Sequence, residues 1–197
     1  MATQTCVTAQ DVMNYGRIDN ADLHATITTY LASVFAAAQD YCSRKFSSDT
    51  FTEYHDVPGP LGGAALLVEN PPITTLTSLT DDNNYGQRAI TVATNVISAS
   101  EYFDRGEVRL YKSEGYFATG RVAAKVVYVG GWTASTMPTD LKEAICQEVL
   151  FRINYPEAVG LAAAAGDGVN NTYATRNGFA AQVCDVLDRY RQLWRTV

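Results

Sequence analysis

The chain has 197 residues, 47% of them hydrophobic and only 18% charged, enough to bury roughly 70% of its unfolded surface without a disulfide or metal and too apolar to remain disordered. Its 15 Lys and Arg against 21 Asp and Glu leave a net charge of -6, which argues against a protein whose task is to grip phosphate backbones while allowing passive contact with DNA. No apolar run approaches the ~20 residues of a membrane span, and no basic stretch with an apolar core opens the chain, so a soluble, unexported protein without a membrane partner is expected.

Thr8 followed three residues later by Asp11 has the form of a capping box with Asp in the place of Glu, and predicts a short helix over 9–15 ended by Gly16. Asp19 and Asn20 signal a second start. Leu23, Ile27, Tyr30, Leu31, Val34, Phe35, Ala38, Tyr41 and Cys42 then recur every three or four residues, which predicts a long amphipathic helix.

From residue 51 the helical period gives way to Thr, Val, Tyr, Gly and Pro, as short strands joined by turns require. Strands are predicted over 51–57, 65–69, 73–81, 87–92, 108–111 and 122–129. Asp104-Arg105-Gly106-Glu107 supplies a turn before the alternation of Val108 and Leu110 with Glu107 and Arg109, which implies one buried and one wet face.

Pro138 suits the first position of a further helix, with Asp140 and Glu143 at its positive end and Leu141, Ala144, Ile145, Val149 and Ile153 on one face. Pro156 stops it. The Ala- and Gly-rich stretch 157–171 has no periodicity and reads as a connector, exposed or ordered by a partner. A last helix carries Phe179, Val183, Val186, Leu187, Tyr190, Leu193 and Trp194 on one stripe. Helices, then strands, then helices place the chain in the α+β class, and strands adjacent in sequence favour antiparallel pairing. A single domain over 1–197 is expected, helical over 7–46, β-rich over 50–132, with a helix over 137–156, a flexible connector over 157–177 and a C-terminal helix over 178–197. The apolar faces of 8–46 and 138–155 are expected to pack on each other as one helical unit, with the strands as a separate layer.

Material for chemistry is sparse. Cys6, Cys42, Cys146 and Cys184 form no C-x-x-C and read as reduced, buried apolar groups; no pair among them and the two histidines, His24 and His55, has zinc-ligand spacing. His55 beside Asp56 is the best candidate for a base with an orienting acid, as in a small hydrolase, yet neighbouring strand residues point to opposite faces. His24 reads as a solvated helix residue. Asp81, Asn83 and Gly86 open like a calcium loop, but Tyr85 and Val92 stand where ligands are needed. Gly59, Pro60, Gly62 and Gly63 lack the Lys-Ser/Thr pair of a phosphate cradle and read as a flexible hairpin tip. Asn170-Asn171-Thr172 is a glycosylation sequon without a secretion signal to give it meaning. No catalytic, metal or cofactor site is expected.

Twelve tyrosines and two tryptophans suit protein interfaces better than catalysis. Arg189, Tyr190, Arg191, Leu193, Trp194 and Arg195 join an aromatic-aliphatic stripe to three arginines near the chain end, where docking to a partner competes with an ordinary surface helix. The tips at Gly59, Pro60, Gly62 and Gly63 and at Asp81, Asp82 and Asn83 hold no core residues and are expected to meet a neighbouring subunit or partner.

Three stretches combine into a larger pattern. The first runs from Val7-Thr8-Ala9-Gln10-Asp11-Val12 through Tyr15-Gly16-Arg17-Ile18-Asp19 to Tyr41-Cys42-Ser43-Arg44-Lys45-Phe46. The second is Val127-Tyr128-Val129-Gly130-Gly131-Trp132 with Met137-Pro138-Thr139-Asp140-Leu141-Lys142-Glu143-Ala144-Ile145. The third runs from Asn177-Gly178-Phe179 to Leu187-Asp188-Arg189-Tyr190-Arg191. Together they resemble the head-tail connector (adaptor) proteins of long-tailed bacteriophages. The resemblance implies a non-enzymatic structural protein of the virion neck, assembled in the host cytoplasm as a homo-oligomeric ring, typically a dodecamer, below the portal protein. It implies extension of the DNA channel, with passive contact to genomic double-stranded DNA, and a surface for a tail-side neck protein, a stopper or tail terminator. The C-terminal helix is then the portal-docking element, through Arg189, Tyr190, Arg191, Leu193, Trp194 and Arg195. A tail completion or tail-tube protein of the same virion is the alternative, and the two-helix opening speaks against a tube.

Overall fold

The computed structural model describes residues 6–57, 65–82, 87–90, 96–102, 107–112, 117–154, 163–166, 169–172 and 175–191. The chain divides into two compact units, Met1–Ser43 with Thr133–Val197, and Arg44–Trp132.

Among the described residues, the first unit is built on four α-helices. Helix α1, Ala9–Gly16, starts at the expected capping box: Thr8 Oγ1 accepts from Asp11 N at 3.2 Å, and Asp11 Oδ2 accepts from Thr8 N at 2.8 Å. Its end corrects the expectation for Gly16. The left-handed cap is Arg17, with φ of 51°; Gly16 stays helical, where a Cβ would come within 3.0 Å of Leu150 Cδ1 and Cδ2. A 3-10 turn, Ala21–Leu23, capped by Asn20, absorbs the second start signal and leads into α2, His24–Cys42. Of the predicted stripe, Ile27, Leu31, Val34, Phe35, Ala38 and Cys42 are buried.

Helix α3, Thr139–Asn154, begins one residue later than predicted, because the Pro138 carbonyl accepts the first helical bond, from Lys142 N at 3.0 Å. Helix α4 is Ala181–Tyr190. Helices α1 and α2 pack on α3, as expected of one helical unit, and α4 joins them there. Lys142 Nζ meets Asp11 Oδ1 at 2.7 Å and ties α3 to α1. Within the stretch read as a connector, Ala163–Gly166 pairs antiparallel with Val169–Thr172, and Thr175–Arg176 with Phe179–Ala180.

Among the described residues, the second unit holds two antiparallel sheets. One is built from β1 (Asp49–Val57), β3 (Ile73–Asp82), β4 (Gln87–Ile90) and β7 (Gly120–Gly130), in the order β1-β7-β3-β4. The other is built from β2 (Ala65–Leu67), β5 (Val96–Tyr102) and β6 (Glu107–Lys112), in the order β2-β6-β5. All six predicted strands are present. Strand β5 is an addition, since Val-Ile-Ser-Ala-Ser-Glu-Tyr is weakly patterned and gains its place by pairing with β6. Among the described residues, β1 and β2 pair in different sheets.

Alternation is clear along β1, and register shifts interrupt it at His55/Val57 and in β3 at Ile73/Thr75 and Leu76/Ser78. Thr50, Thr52 and Tyr54 are exposed on one face, while Glu53 and Val57 of β1 turn with Ala124, Val126 and Tyr128 of β7 and Leu79 of β3 toward a core shared with Leu66, Val68, Leu110 and Phe117. Burying each large apolar side chain of this core contributes roughly 1.5–3 kcal/mol. No described helix is long and apolar enough to cross a membrane.

Candidate functional site

The expected docking residues begin at the end of α4. Its stripe is turned inward up to Leu187: Val183, Cys184 and Leu187 are buried, as is Phe179 just before it. The helix start lacks a side-chain cap of its own and is held from α3. Glu148, 1% exposed, accepts from Ala180 N at 3.0 Å and from Arg152 Nε at 2.8 Å, while Arg152 Nη2 donates to the Gly178 carbonyl at 3.2 Å.

The other end carries the predicted side chains and clamps them. Tyr190 donates its hydroxyl to Asp140 Oδ1 at 2.6 Å, and Arg189 Nη1 lies 3.4 Å from Asp140 Oδ2. Tyr41 donates to Asp188 Oδ1 at 2.5 Å, and the Arg191 guanidinium sits 5.2 Å from the centre of the Tyr41 ring. Burial, and then the bond to Asp188, hold the Tyr41 phenol above its ordinary value. Arg189 remains exposed, and Leu193, Trp194 and Arg195 lie outside the described residues.

Of the loop candidates, Gly59, Pro60, Gly62, Gly63 and Asn83 lie outside the described residues. Asp81 and Asp82 end β3, paired in register with Arg88 and Gln87 of β4, so this pair of strands is a hairpin as expected.

The candidate base does not meet its candidate acid. Asp56 accepts from Val122 N at 2.7 Å across to β7. His55 turns the other way, its Nε2 3.3 Å from Glu53 Oε2, two residues along on the same face. Glu53, 8% exposed, is the hub of a polar cluster that motif and spacing alone do not announce. It accepts from the Tyr128 hydroxyl, from Glu69 N at 3.0 and 3.1 Å, and from Asn70 Nδ2 at 3.3 Å. Asn70 N donates in turn to the Tyr128 oxygen at 2.9 Å. Burial pushes the Glu53 carboxyl up, but the His55 imidazole and the donors from Tyr128 and Glu69 outweigh it and leave the group below its ordinary range. Burial and the Glu53 charge hold the Tyr128 phenol well above its ordinary value. The one signal in the sequence is the Glu-x-His spacing on a strand, which places both side chains on one face.

This arrangement pins a loop to a sheet. Lys45 N donates to Asn70 Oδ1 at 2.8 Å, Arg44 Nη2 donates to the Pro71 carbonyl, and the Arg44 guanidinium stacks 4.5 Å from the centre of the Trp132 ring. The acid at the centre of the cluster is saturated with donors. Buried Cys146, on α3, has its thiol pushed up to about 11, by burial first and by the Asp11 charge second, so it stays protonated at neutral pH.

The described polar clusters pin segments within each unit, and comparisons with known proteins find both a family and a shared fold. A family model described as "Head completion protein" matches residues 5–193. A chain of the structure titled "Virion of native gene transfer agent (GTA) particle" matches at TM-score 0.60 and 17% identity, over 98% of this chain and 93% of that one. A chain of "Neck of empty GTA particle computed with C6 symmetry" matches at TM-score 0.59 and 17% identity over the same shares. A chain of "Neck of native GTA particle computed with C12 symmetry" matches at 0.53 and 16%, over 96% and 93%. At such identities the likeness establishes a shared fold. Comparison with curated proteins finds no match.

Proposed function

The chain belongs to the head completion protein family, and from that membership we propose that it is a structural, non-enzymatic component of a virion neck, where it joins the filled head to the tail. The family match across residues 5–193 carries this reading. The fold shared with chains of neck structures supports it. The connector resemblance seen in the sequence points to the same family, and the polar clusters, which pin segments of the chain to one another, fit a structural part.

In the finer form of this proposal the chain is an adaptor. Copies close into a homo-oligomeric ring below the portal protein, with C12 symmetry in a matched neck structure as the support for a dodecamer. A ring of identical subunits needs a heterologous interface that closes. The ring extends the DNA channel, and the acidic balance limits adhesion of the passing duplex. Arg189, Tyr190 and Arg191, with Leu193, Trp194 and Arg195 beyond them, form the portal-side contact; the Gly59–Gly63 and Asp81–Asn83 regions face neighbouring subunits or a tail-side stopper or terminator.

Electron micrographs of particle necks with this chain labelled test the proposal. A ring adjacent to the portal is the expected image. Label distributed along the tail tube would overturn the adaptor role in favour of a tube protein, and absence from the particle would overturn the structural reading altogether.

A further inference from the structure

A closed ring needs two different patches on each copy that fit one another, and the four-stranded sheet presents such a pair. Among the described residues, β1 and β4 each pair on one side only, so they are the two edges of the sheet. Strand β1 is nine residues long, Asp-Thr-Phe-Thr-Glu-Tyr-His-Asp-Val, with neither Pro nor Lys. Natural edges are commonly guarded by Pro, Lys, a bulge or shortness; this one is long and has neither Pro nor Lys, its register shift is confined to its end, between His55 and Val57, and its inward charge, Glu53, is saturated by donors of its own unit.

Chain directions favour joining these edges. Strand β1 is antiparallel to β7, β7 to β3, and β3 to β4, so β4 runs opposite to β1. When a second copy is placed beside the first with its sheet continuing the same way, its β4 meets β1 antiparallel, the pairing that gives well-aligned ladder bonds. Strand β1 carries Asp49, Glu53 and Asp56, with Asp49 and Asp56 exposed, and Arg88, the only charged residue of β4, shares a face register with Asp49 and Glu53.

We propose that β1 of one copy adds to β4 of the next, so that the sheet runs from subunit to subunit around the ring. This pairing rests on the ring proposed for the neck. The dimensions are suitable: at ~4.8 Å between strands, twelve four-stranded sheets standing side by side enclose a circumference of about 230 Å and a radius of about 37 Å, which leaves an open centre.

Cysteine crosslinking tests the pairing. Tyr54, Lys125, Thr80 and Ala89 form one row across the sheet, so Ala89 and Gln87 of β4 share a face register with Thr52 and Tyr54 of β1. The full chain carrying Thr52→Cys with Ala89→Cys, and a second carrying Thr52→Cys with Gln87→Cys to cover a two-residue slip, are oxidised gently after purification; native Cys6, Cys42, Cys146 and Cys184 are all buried. Masses of the native particles are measured in parallel. The expected result is a ladder of covalent multimers in at least one double variant and none in the single variants. Dimers from Thr52→Cys alone would mean β1 pairing with β1 and overturn the proposal. Ring masses without a ladder in either double variant would overturn it while leaving the ring intact. Absence of both ring and ladder would overturn this pairing and the ring together.

Discussion

Glu53 and Glu148 are two buried carboxylates that hold the chain against itself, one in each unit. Glu53 has its folded pKa depressed, so its contribution is complete above the unfolded carboxylate value of 4.5 and is lost as pH falls through that value toward the folded one. Stability of the wild-type chain should therefore drop below about pH 5. Glu53→Gln should lower stability at pH 7 by roughly 1–3 kcal/mol, since one oxygen replaces two as acceptor, and should flatten the acid slope. Urea unfolding of both proteins across pH 3–7 checks this; parallel slopes would show that Glu53 does not set the acid limit. Glu148→Ala strands the Arg152 guanidinium, whose side chain is only 14% exposed, and frees Ala180 N, so a loss of about 3–5 kcal/mol is expected in the same assay. A loss below about 1 kcal/mol would show that water replaces the carboxylate.

At the scale of elements, the terminal helix has two parts with different work. Val183, Cys184 and Leu187 belong to the helical unit's own core, with Cys42 Sγ 3.4 Å from the Leu187 carbonyl. Beyond Leu187 the helix leaves that core, with Asp188 and Arg189 exposed. Removal of residues 185–197 should therefore unfold or strongly destabilise the chain, because losing Leu187 alone costs about 2–5 kcal/mol. Removal of residues 192–197 should leave the circular dichroism and melting temperature unchanged while weakening copurification with portal-bearing capsids. Unaltered capsid binding by the shorter truncation would place the portal contact elsewhere. The other element under tight constraint is the turn after β7. Gly131 has φ of +84°, and a Cβ there would lie 2.6 Å from the Ser47 carbonyl oxygen, so the Gly-Gly-Trp turn tolerates no side chain at its second position.

For the whole molecule the governing quantity is charge. Each copy carries -6, so copies in a ring repel at long range, whereas a backbone ladder between sheet edges is short-ranged and little affected by ions. Ring formation by the purified chain should strengthen as salt rises from about 10 to 150 mM, the range over which the Debye length shrinks from about 30 to 8 Å. Sedimentation at the two ionic strengths checks it, and rings that dissociate on adding salt would mean that the contacts are mainly ionic.

Much of the fold is legible in the sequence, for reasons that are local. The Thr8-x-x-Asp11 box, the stripe from Ile27 to Cys42, the proline before α3 and the alternation in β1 and β7 each depend on residues within a turn or two of one another, so the order of helices, strands and helices and the family pattern can be read from the chain alone. What tertiary structure decides is long-range. Gly16 has the sequence context of a helix stop, yet it is a contact point for Leu150. Adjacency pairs His55 with Asp56, but the strand's period gives it to Glu53, whose other donors come from Glu69, Asn70 and Tyr128. Strand β5 forms through β6, and the stripe of the last helix is drawn into the core as far as Leu187, where α2 and α3 pack on it. A local pattern can announce that a side chain is buried; which distant group waits for it is set only when the chain has closed on itself.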